Sequence, residues 1–376
     1  MNEQRNAGEI AIIGLGLIGA SLGLALKAGG LTDTPIVGHD TSGKALGAAK
    51  KLGAVDRIAD NAADAVKSAA IVILAVPIMN LRQSLGEIAP HLNEGAAVTD
   101  TASTKTEVMR WAAEALPATV DFVGGHPMAG KETPGAEQAE ATLFRGRPYC
   151  LCPSLTASPG AIKAVSGLAA VVGANPMFMD AEEHDQYAAA ISHMPLMTST
   201  ALFSLIRNSA SWDDFGAVAG PAFKDMTRLA SGDPALALGI WRTNREALIH
   251  WMDRMIGEIG RFREMLKDAQ DEKLLEVFTQ AQVQRDEFLL DPPVRMPEDT
   301  GVSVDKGKAL MDMLIGAKLA DNLRRAMPPE PGEKMTKAEA AEPRISMVDR
   351  VAEGVRKDLE KMEAEEAAKE TRGDEL

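Results

Sequence analysis

The chain has 376 residues, of which 45 % are hydrophobic and 25 % charged, as in an ordinary globular protein. Its 54 acidic residues outnumber its 40 basic ones and give a net charge of −14, which argues against a nucleic-acid backbone as the main partner. The sequence contains no run of about 20 apolar residues, no secretory signal, and only two cysteines, Cys150 and Cys152. We therefore expect a cytoplasmic protein of about two domains that spans no membrane and binds no metal.

The first part of the chain alternates short strand-like runs with Ala-rich helical stretches, up to about residue 155. Runs such as EIAIIGLG and IVILAVP are almost continuously apolar, which is typical of parallel strands covered on both faces. This pattern predicts an α/β fold, with a Rossmann-type doubly wound parallel sheet over residues 1–155.

From residue 156 to 290 we expect no further strands, because apolar residues recur there at three- and four-residue spacing. The pattern predicts an all-helical domain that carries the substrate site. Its helices are apolar on more than one side, which favours packing against a second layer or a second subunit. We therefore expect a homodimer joined through residues 156–290.

The composition changes abruptly after Leu290. Residues 291–376 contain no Phe, Trp or Tyr and seven prolines. Such a segment can hardly form a large core of its own. It is predicted to be a C-terminal extension, partly helical or disordered.

A glycine motif, GLGLIG, follows the apolar strand that ends at Ile13. In such motifs the glycines allow a tight turn, close approach to a pyrophosphate, and close packing of helix on strand. Asp40, 21 residues after Gly19, ends the next predicted strand, where a carboxylate binds a ribose hydroxyl and favours NAD over NADP. Either feature could instead belong to an ordinary turn. The predicted NAD-binding residues are Gly14, Gly16, Leu17, Ile18, Gly19, Asp40, Val76 and Pro77.

Two further motifs place polar residues at the carboxyl edge of the predicted sheet, where α/β proteins hold ligands. In FVGGHPMAGKE we expect the strand to end on the two glycines and to expose His126 on a loop. A histidine there can accept the proton lost when an alcohol becomes a ketone, although it could be a generic loop histidine. In DTASTK, Ser103 lies at the start of a predicted helix and could be its N-cap.

The ordered motifs GLGLIGASL, DTASTK, GGHPMAGKE, ISHMP and AGPAFKDMTRLASGDP resemble the prephenate/arogenate (cyclohexadienyl) dehydrogenase family over roughly residues 9–290. The resemblance implies NAD-dependent oxidative decarboxylation of prephenate, arogenate or both, to 4-hydroxyphenylpyruvate or tyrosine in tyrosine biosynthesis. It also implies that His126 takes the proton of the ring hydroxyl and that Ser103 supports this histidine.

Four more residues match family positions that bind substrate. Arg228 resembles an arginine that binds the substrate carboxylate, Asp225 and Glu132 resemble its acidic partners, and His193 resembles a histidine near the substrate side chain. Arg228 and Asp225 could instead form a surface ion pair on one helix, and His193 could be a buried structural histidine.

Some choices stay open in the sequence. Asp233 could pair with the ammonium of arogenate, but Asp233-Pro234 also suits a helix N-cap followed by proline at the first position. Some relatives have a Trp where this chain has Ala237. The alternatives to the family are a β-hydroxyacid or imine dehydrogenase and a non-catalytic NAD-sensing protein. Residues 181–223 lack the Lys and Asn pair of the former, and the latter has no need of His126, Ser103 and Arg228 together.

Overall fold

The structure is a computed structural model that describes residues 8–293, apart from Thr32 and Glu132. Its described residues divide into two units, residues 8–252 and residues 253–293. The predictions for Glu132 and for nearly all of the C-terminal extension lie outside the described residues.

Eight strands form one sheet in the first unit, in the spatial order β3-β2-β1-β4-β5-β6-β7-β8. The strands are β1 (Glu9–Ile13), β2 (Ile36–His39), β3 (Arg57–Ile58), β4 (Ala69–Leu74), β5 (Ala97–Asp100), β6 (Asp121–Pro127), β7 (Pro148–Pro153) and β8 (Asn175–Phe178). The first six have the strand order of a Rossmann fold. The expected doubly wound sheet is therefore confirmed.

One pairing departs from the expected parallel sheet. Strands β6 and β7 are antiparallel, whereas every other neighbouring pair is parallel. A parallel neighbour needs a crossover, usually an α-helix. The described part of residues 128–147 contains no α-helix and forms only a 3₁₀ turn at Ala136–Gln138. Strand β7 therefore runs antiparallel to β6.

The expectation of no strand after residue 156 is wrong for β8. This strand pairs in parallel with β7 and is the last in the sheet. Its four residues, Asn-Pro-Met-Phe, include proline and asparagine, which are depleted in strands, so its pairing depends on position at the sheet edge. The sheet thus extends to Phe178, and the domain division at residue 155 stays a prediction.

Thirteen α-helices accompany the sheet in the described residues. They are α1 (Leu17–Ala28), α2 (Gly43–Leu52), α3 (Ala62–Val66), α4 (Ile78–Ile88), α5 (Thr106–Ala115), α6 (Pro159–Val171), α7 (Ala181–Ala188), α8 (Met194–Arg207), α9 (Trp212–Ala217), α10 (Pro221–Thr227), α11 (Pro234–Thr243), α12 (Arg245–Lys267) and α13 (Asp271–Leu290). The helical region predicted after the sheet is confirmed from α7 onward.

Two apolar cores cover the two faces of the sheet. On β1, Ile10 and Ile12 point into one core, while Ala11 and Ile13 point into the other. The first core is completed by α1, α2 and α6, and the second by α3, α4 and α5. Burial on both faces explains why the central strands are continuously apolar rather than alternating.

Helices α7 and α8 are joined by a π-helical segment, Ala189–His193, into one run over 181–207. Pro195 follows this segment and has no N–H to offer the preceding turn, which accounts for a break in the regular helix there. By length and composition, the run is the one helix in the described residues that could cross a membrane. His184, Asp185 and His193 are buried within it, however, and Asp185 bonds to the start of α5. These buried polar contacts are those of a helix packed within a protein, although only 22 % of its apolar stretch is buried in this chain.

Candidate active site

The glycine motif forms a tight turn between β1 and α1. Gly14 has φ +94°, and a Cβ atom there would lie 2.5 Å from the Ala75 carbonyl oxygen. A Cβ on Gly19 would lie 1.9 Å from the Gly14 carbonyl oxygen. Both positions therefore exclude any side chain, and α1 starts close against the end of β1.

The N-terminus of α1 is open toward the carboxyl edge of the sheet. Gly16 is the N-cap and supplies no side chain, and the first turn contains no acidic residue. A Cβ built on Gly16 would meet nothing within 4 Å. The first helical residues, Leu17 and Ile18, thus leave backbone N–H groups for an anion, as a bound pyrophosphate requires.

Asp40 is held beside this turn, just after β2. Its Oδ2 accepts the N–H of Leu15 at 2.7 Å, and its Oδ1 accepts the N–H of Ser42 at 2.7 Å. Val76 and Pro77 follow β4, which lies next to β1, and Pro77 is the N-cap of α4. These residues would hold NAD at the carboxyl ends of β1, β2 and β4, where the start of α1 would bind the pyrophosphate and Asp40 a ribose hydroxyl.

His126 lies on β6 and not on a loop, which corrects the sequence expectation. Strand β6 continues past its pairing with β5, which ends at Val123, because Gly124 to Pro127 pair with β7 instead. The side chain of His126 is 7 % exposed. It thus occupies a rigid position beyond the carboxyl end of β5.

A chain of hydrogen bonds connects His126 to a buried carboxylate. The Nδ1 atom of His126 lies 2.8 Å from Nε2 of His184, and Nδ1 of His184 lies 2.8 Å from Oδ1 of Asp185. All three side chains are buried. The geometry orients His126 through one of its two ring nitrogens.

Asp185 also caps the start of α5. Its Oδ1 accepts the N–H of Lys105 at 2.7 Å, and its Oδ2 accepts the N–H of Thr106 at 2.9 Å. The alternative that Ser103 caps this helix is therefore wrong, because α5 begins at Thr106 and a residue from α7 supplies the cap. Ser103 is half-buried in the segment between β5 and α5.

Asp100 and Lys105 form a second buried charge pair at this edge. Both side chains are fully buried, and Lys105 Nζ donates to Asp100 Oδ2. The same carboxylate accepts the N–H of Ala102 at 2.8 Å and the N–H of Gly125 at 3.0 Å. The pair therefore joins the end of β5 to the residue that precedes His126.

His193 is buried in the π-helical segment beside the same cluster. Asn244 Nδ2 lies 3.2 Å from His193 Nδ1 and donates to the backbone oxygen of Asp185 at 2.7 Å. Within the described residues, His193 Nε2 is buried without a hydrogen-bond partner of good geometry. This nitrogen is the kind of group that a bound polar ligand can satisfy.

Burial sets the charge state of the two histidines. The pKa of His126 lies well below the usual histidine value, chiefly because the ring is buried. The nearby His184, Lys105 and His193 lower it further. Burial and His184 lower the pKa of His193 to about 4, against the opposite effects of Asp185 and the Ser103 backbone. Both rings are therefore neutral at neutral pH, as a proton acceptor must be.

Arg228 and Asp225 lie on two successive helical segments and not on the one helix that the surface ion-pair alternative placed them on. Helix α10 ends at Thr227, so Asp225 lies on it, while Arg228 starts the 3₁₀ turn Arg228–Ser231. Both side chains are exposed. This turn is held to α8 by the N–H of Ala230, which donates to Ser199 Oγ at 3.1 Å. The substrate-binding roles of both residues stay predictions.

The structural alternative for Asp233 is confirmed. Its Oδ1 accepts the N–H of Ala235 at 2.8 Å, and Pro234 occupies the first turn of α11. Asp233 is therefore a helix N-cap, as Asp-Pro at a helix start predicts.

Sequence reasoning missed five buried polar residues of this cluster: Asp100, Lys105, His184, Asp185 and Asn244. The local sequence carries no signal for His184 and Asp185, because they stand among Glu182, Glu183 and Gln186, and such a polar run predicts a solvent-exposed helix start.

Comparisons with known proteins identify the family of this chain. Residues 22–178 match the family model "Prephenate dehydrogenase, nucleotide-binding domain", and residues 180–280 match "Prephenate dehydrogenase, dimerization domain". A prephenate dehydrogenase of Bacillus subtilis is 33 % identical over 307 residues, which are 81 % of this chain and 82 % of that protein.

Solved structures give the same result. The prephenate dehydrogenase of A. aeolicus in complex with hydroxyphenyl propionate and NAD⁺ superposes with a TM-score of 0.71 at 26 % identity, covering 76 % of this chain and 100 % of the other. A Synechocystis arogenate dehydrogenase superposes with a TM-score of 0.64 at 28 % identity, covering 74 % and 99 %. The matches extend over both the sheet and the helical region, and the chain belongs to the prephenate/arogenate dehydrogenase family of NAD-dependent oxidoreductases.

Proposed function

We propose that this chain catalyses the NAD-dependent oxidative decarboxylation of prephenate, arogenate or both, in tyrosine biosynthesis. The observation that carries this proposal is the neutral, buried His126 at the carboxyl end of β6, in the same sheet as the glycine turn. Family membership supplies the substrate class, and the site supplies a proton acceptor of the required kind.

His126 is the proposed proton acceptor. Its Nε2 receives the proton of the ring hydroxyl as the carbon that bears this hydroxyl loses a hydride. NAD, when bound, supplies the hydride acceptor. The ring carboxylate then leaves as CO₂, and its bonding electron pair returns to the ring, which becomes aromatic. The former carbonyl oxygen takes the proton back from His126 and is then the hydroxyl of a phenol. The histidine ends the cycle as it began, in its neutral form.

The remaining residues have proposed roles in binding. Ser103 is proposed to bind the same hydroxyl as His126, and His193 to contact the substrate side chain through its unsatisfied Nε2. Arg228 is proposed to bind a substrate carboxylate, because a guanidinium can donate two parallel hydrogen bonds to it. Asp225 and Glu132 are proposed to orient this arginine.

The test is NADH formation by the full chain with each substrate, measured in parallel with NAD and with NADP. We expect turnover with at least one substrate and a preference for NAD, because the Asp40 carboxylate repels a 2′-phosphate. Absence of turnover with both substrates would refute the proposed function.

We also propose that the protein acts as a homodimer through its helical region, in the cytoplasm. The matching family model for residues 180–280 is described as a dimerization domain. On α8, Leu205 is 71 % exposed, and Val218 after α9 is 81 % exposed. An open apolar groove of about 410 Å³, lined by Ile206, Phe215 and Phe223 among others, lies in the same region. Two cysteines, Cys150 and Cys152, both buried, suit a reducing compartment.

Sedimentation of the full chain tests the dimer. We expect a dimer for the wild type and a shift toward monomer for Leu205→Glu, because the variant would bury a charge in an apolar interface. Leu155→Glu is the matched control, since Leu155 is fully exposed on the loop after β7. A monomeric wild type, or equal behaviour of the two variants, would contradict this assignment.

A further inference from the structure

The hydrogen-bond chain behind His126 has a direction, which can be worked out from its buried end. Burial raises the pKa of Asp185, but hydrogen bonds from His184 and from the Thr106 and Lys105 segment outweigh this effect and hold it below its usual value. Asp185 is therefore a carboxylate, which accepts hydrogen bonds and donates none.

Because Asp185 only accepts, the proton in its contact with His184 must sit on His184 Nδ1. We take His184 as the neutral ring, in which a proton on Nδ1 leaves a lone pair on Nε2. The 2.8 Å contact between His184 Nε2 and His126 Nδ1 then requires the proton to sit on His126 Nδ1. By the same rule, Nε2 of a neutral His126 carries a lone pair.

We infer that His184, backed by Asp185, is a positioning residue that holds His126 in the tautomer with a free Nε2 lone pair, so that this nitrogen can accept the substrate's hydroxyl proton. This inference rests on the proposed function for the direction of proton transfer. The tautomer itself is a property of the protein alone. Neither His184 nor Asp185 is expected to touch the reacting atoms.

The rest of the structure makes this arrangement rigid. Asp185 cannot turn away from His184 without breaking its bonds to the N–H groups that start α5. The Asn244 side chain also fixes the Asp185 backbone, because Asn244 Nδ2 donates to the backbone oxygen of Asp185. The two rings meet edge to face, with centroids 5.1 Å apart. A rotation of His126 would therefore break the contact with His184.

Nitrogen-15 NMR of the full chain with labelled histidine tests the tautomers directly, because the two ring nitrogens of a neutral histidine have distinct shifts. We expect both His126 and His184 to carry the proton on Nδ1 in the wild type. His126→Asn and His184→Asn assign the signals by their loss. A wild-type His126 with its proton on Nε2 would overturn the inference, whether or not the protein turns over prephenate or arogenate.

Kinetics test the consequence. We expect His184→Ala and Asp185→Ala to lower kcat by roughly 10²- to 10⁴-fold, the usual range for lost general acid–base catalysis, with a much smaller change in KM. His184→Gln should recover part of this loss, because its amide oxygen can accept the proton of His126 Nδ1. His91→Asn, on an exposed turn, is the control and should leave kcat unchanged.

Two results separate positioning from structural support. If the inference is correct, Asp185→Ala and His184→Ala each move the His126 proton signal from Nδ1 toward Nε2 while circular dichroism stays native. If kcat and the tautomer of His126 are both unchanged in a folded Asp185→Ala or His184→Ala protein, the inference is wrong. Inactivity of the wild type on both substrates would refute the proposed function instead, and the NMR result would still stand.

Discussion

The buried pair of Asp100 and Lys105 permits a sharp prediction about stability. Both side chains have no exposed surface. Lys105→Met keeps most of the length and volume of the side chain but removes its charge, so that the Asp100 carboxylate stays buried without its cation. Breaking a buried ion pair in this way costs about 3–5 kcal/mol.

The structure places the expected cost near the lower end of that range. After the substitution, Asp100 still accepts the N–H groups of Ala102 and Gly125, at 2.8 and 3.0 Å. We therefore expect the free energy of unfolding to fall by about 3 kcal/mol, a large part of the 5–15 kcal/mol that stabilises a typical domain. The double variant Asp100→Asn with Lys105→Met should be more stable than Lys105→Met alone, because no unpaired charge remains.

Urea unfolding of the full chain, followed by circular dichroism, measures the effect. Lys44→Met is the matched control, since Lys44 forms a 2.8 Å ion pair with Glu137 but is 83 % exposed. Exposed pairs contribute little, and we expect no measurable shift of the unfolding midpoint. If Lys105→Met unfolds at the same urea concentration as the control, the buried pair does not carry the energy assigned to it.

Four further predictions concern the site. His126→Asn should lower kcat far more than it changes KM, since a proton acceptor acts mainly in the transition state; a near-normal kcat would remove His126 from its proposed role. Arg228→Gln should chiefly raise KM, because it binds carboxylate in the ground and transition states alike, and an unchanged KM in steady-state kinetics would contradict this. Gly19→Ala should raise the KM for NAD at least about tenfold, because its Cβ would lie 1.9 Å from the Gly14 carbonyl oxygen; an unchanged KM would show that the turn adapts. The pKa of His193 is about 4 in the folded protein and 6.5 in the unfolded chain, so below pH 6.5 the unfolded chain takes up a proton that the folded protein does not. The free energy of unfolding should therefore be constant above pH 6.5 as far as His193 is concerned, and fall by about 3 kcal/mol as the pH drops toward 4. Urea unfolding across this range should show a shallower decline for His193→Gln, and equal slopes would refute the assignment.

Local features could be predicted because their physical causes are local. The turn at Gly14 and Gly19 needs residues without a side chain, and the N-cap at Asp233 needs a short acceptor before Pro234, so both patterns are visible in a few consecutive residues. The parallel core strands were recognisable for a similar reason, since burial on both faces leaves continuous apolar runs.

The features that sequence analysis missed or misplaced depend on distant contacts. His184 bonds to His126, 58 residues away in the chain, and Asp185 bonds to the backbone of Lys105, 80 residues away. Strand β8 has little strand propensity and exists because β7 pairs with it. His126 lies on a strand because β7 extends the pairing of β6 past the end of β5.

The sequence by itself determined the cofactor turn, the class of fold and the family, since these depend on residue types in a fixed order. The tertiary structure alone decided which nitrogen of His126 is tied to the protein and which is left for a substrate. That choice depends on the protonation of Asp185, which follows from the backbone N–H groups of α5 and the ring of His184 that folding brings around it.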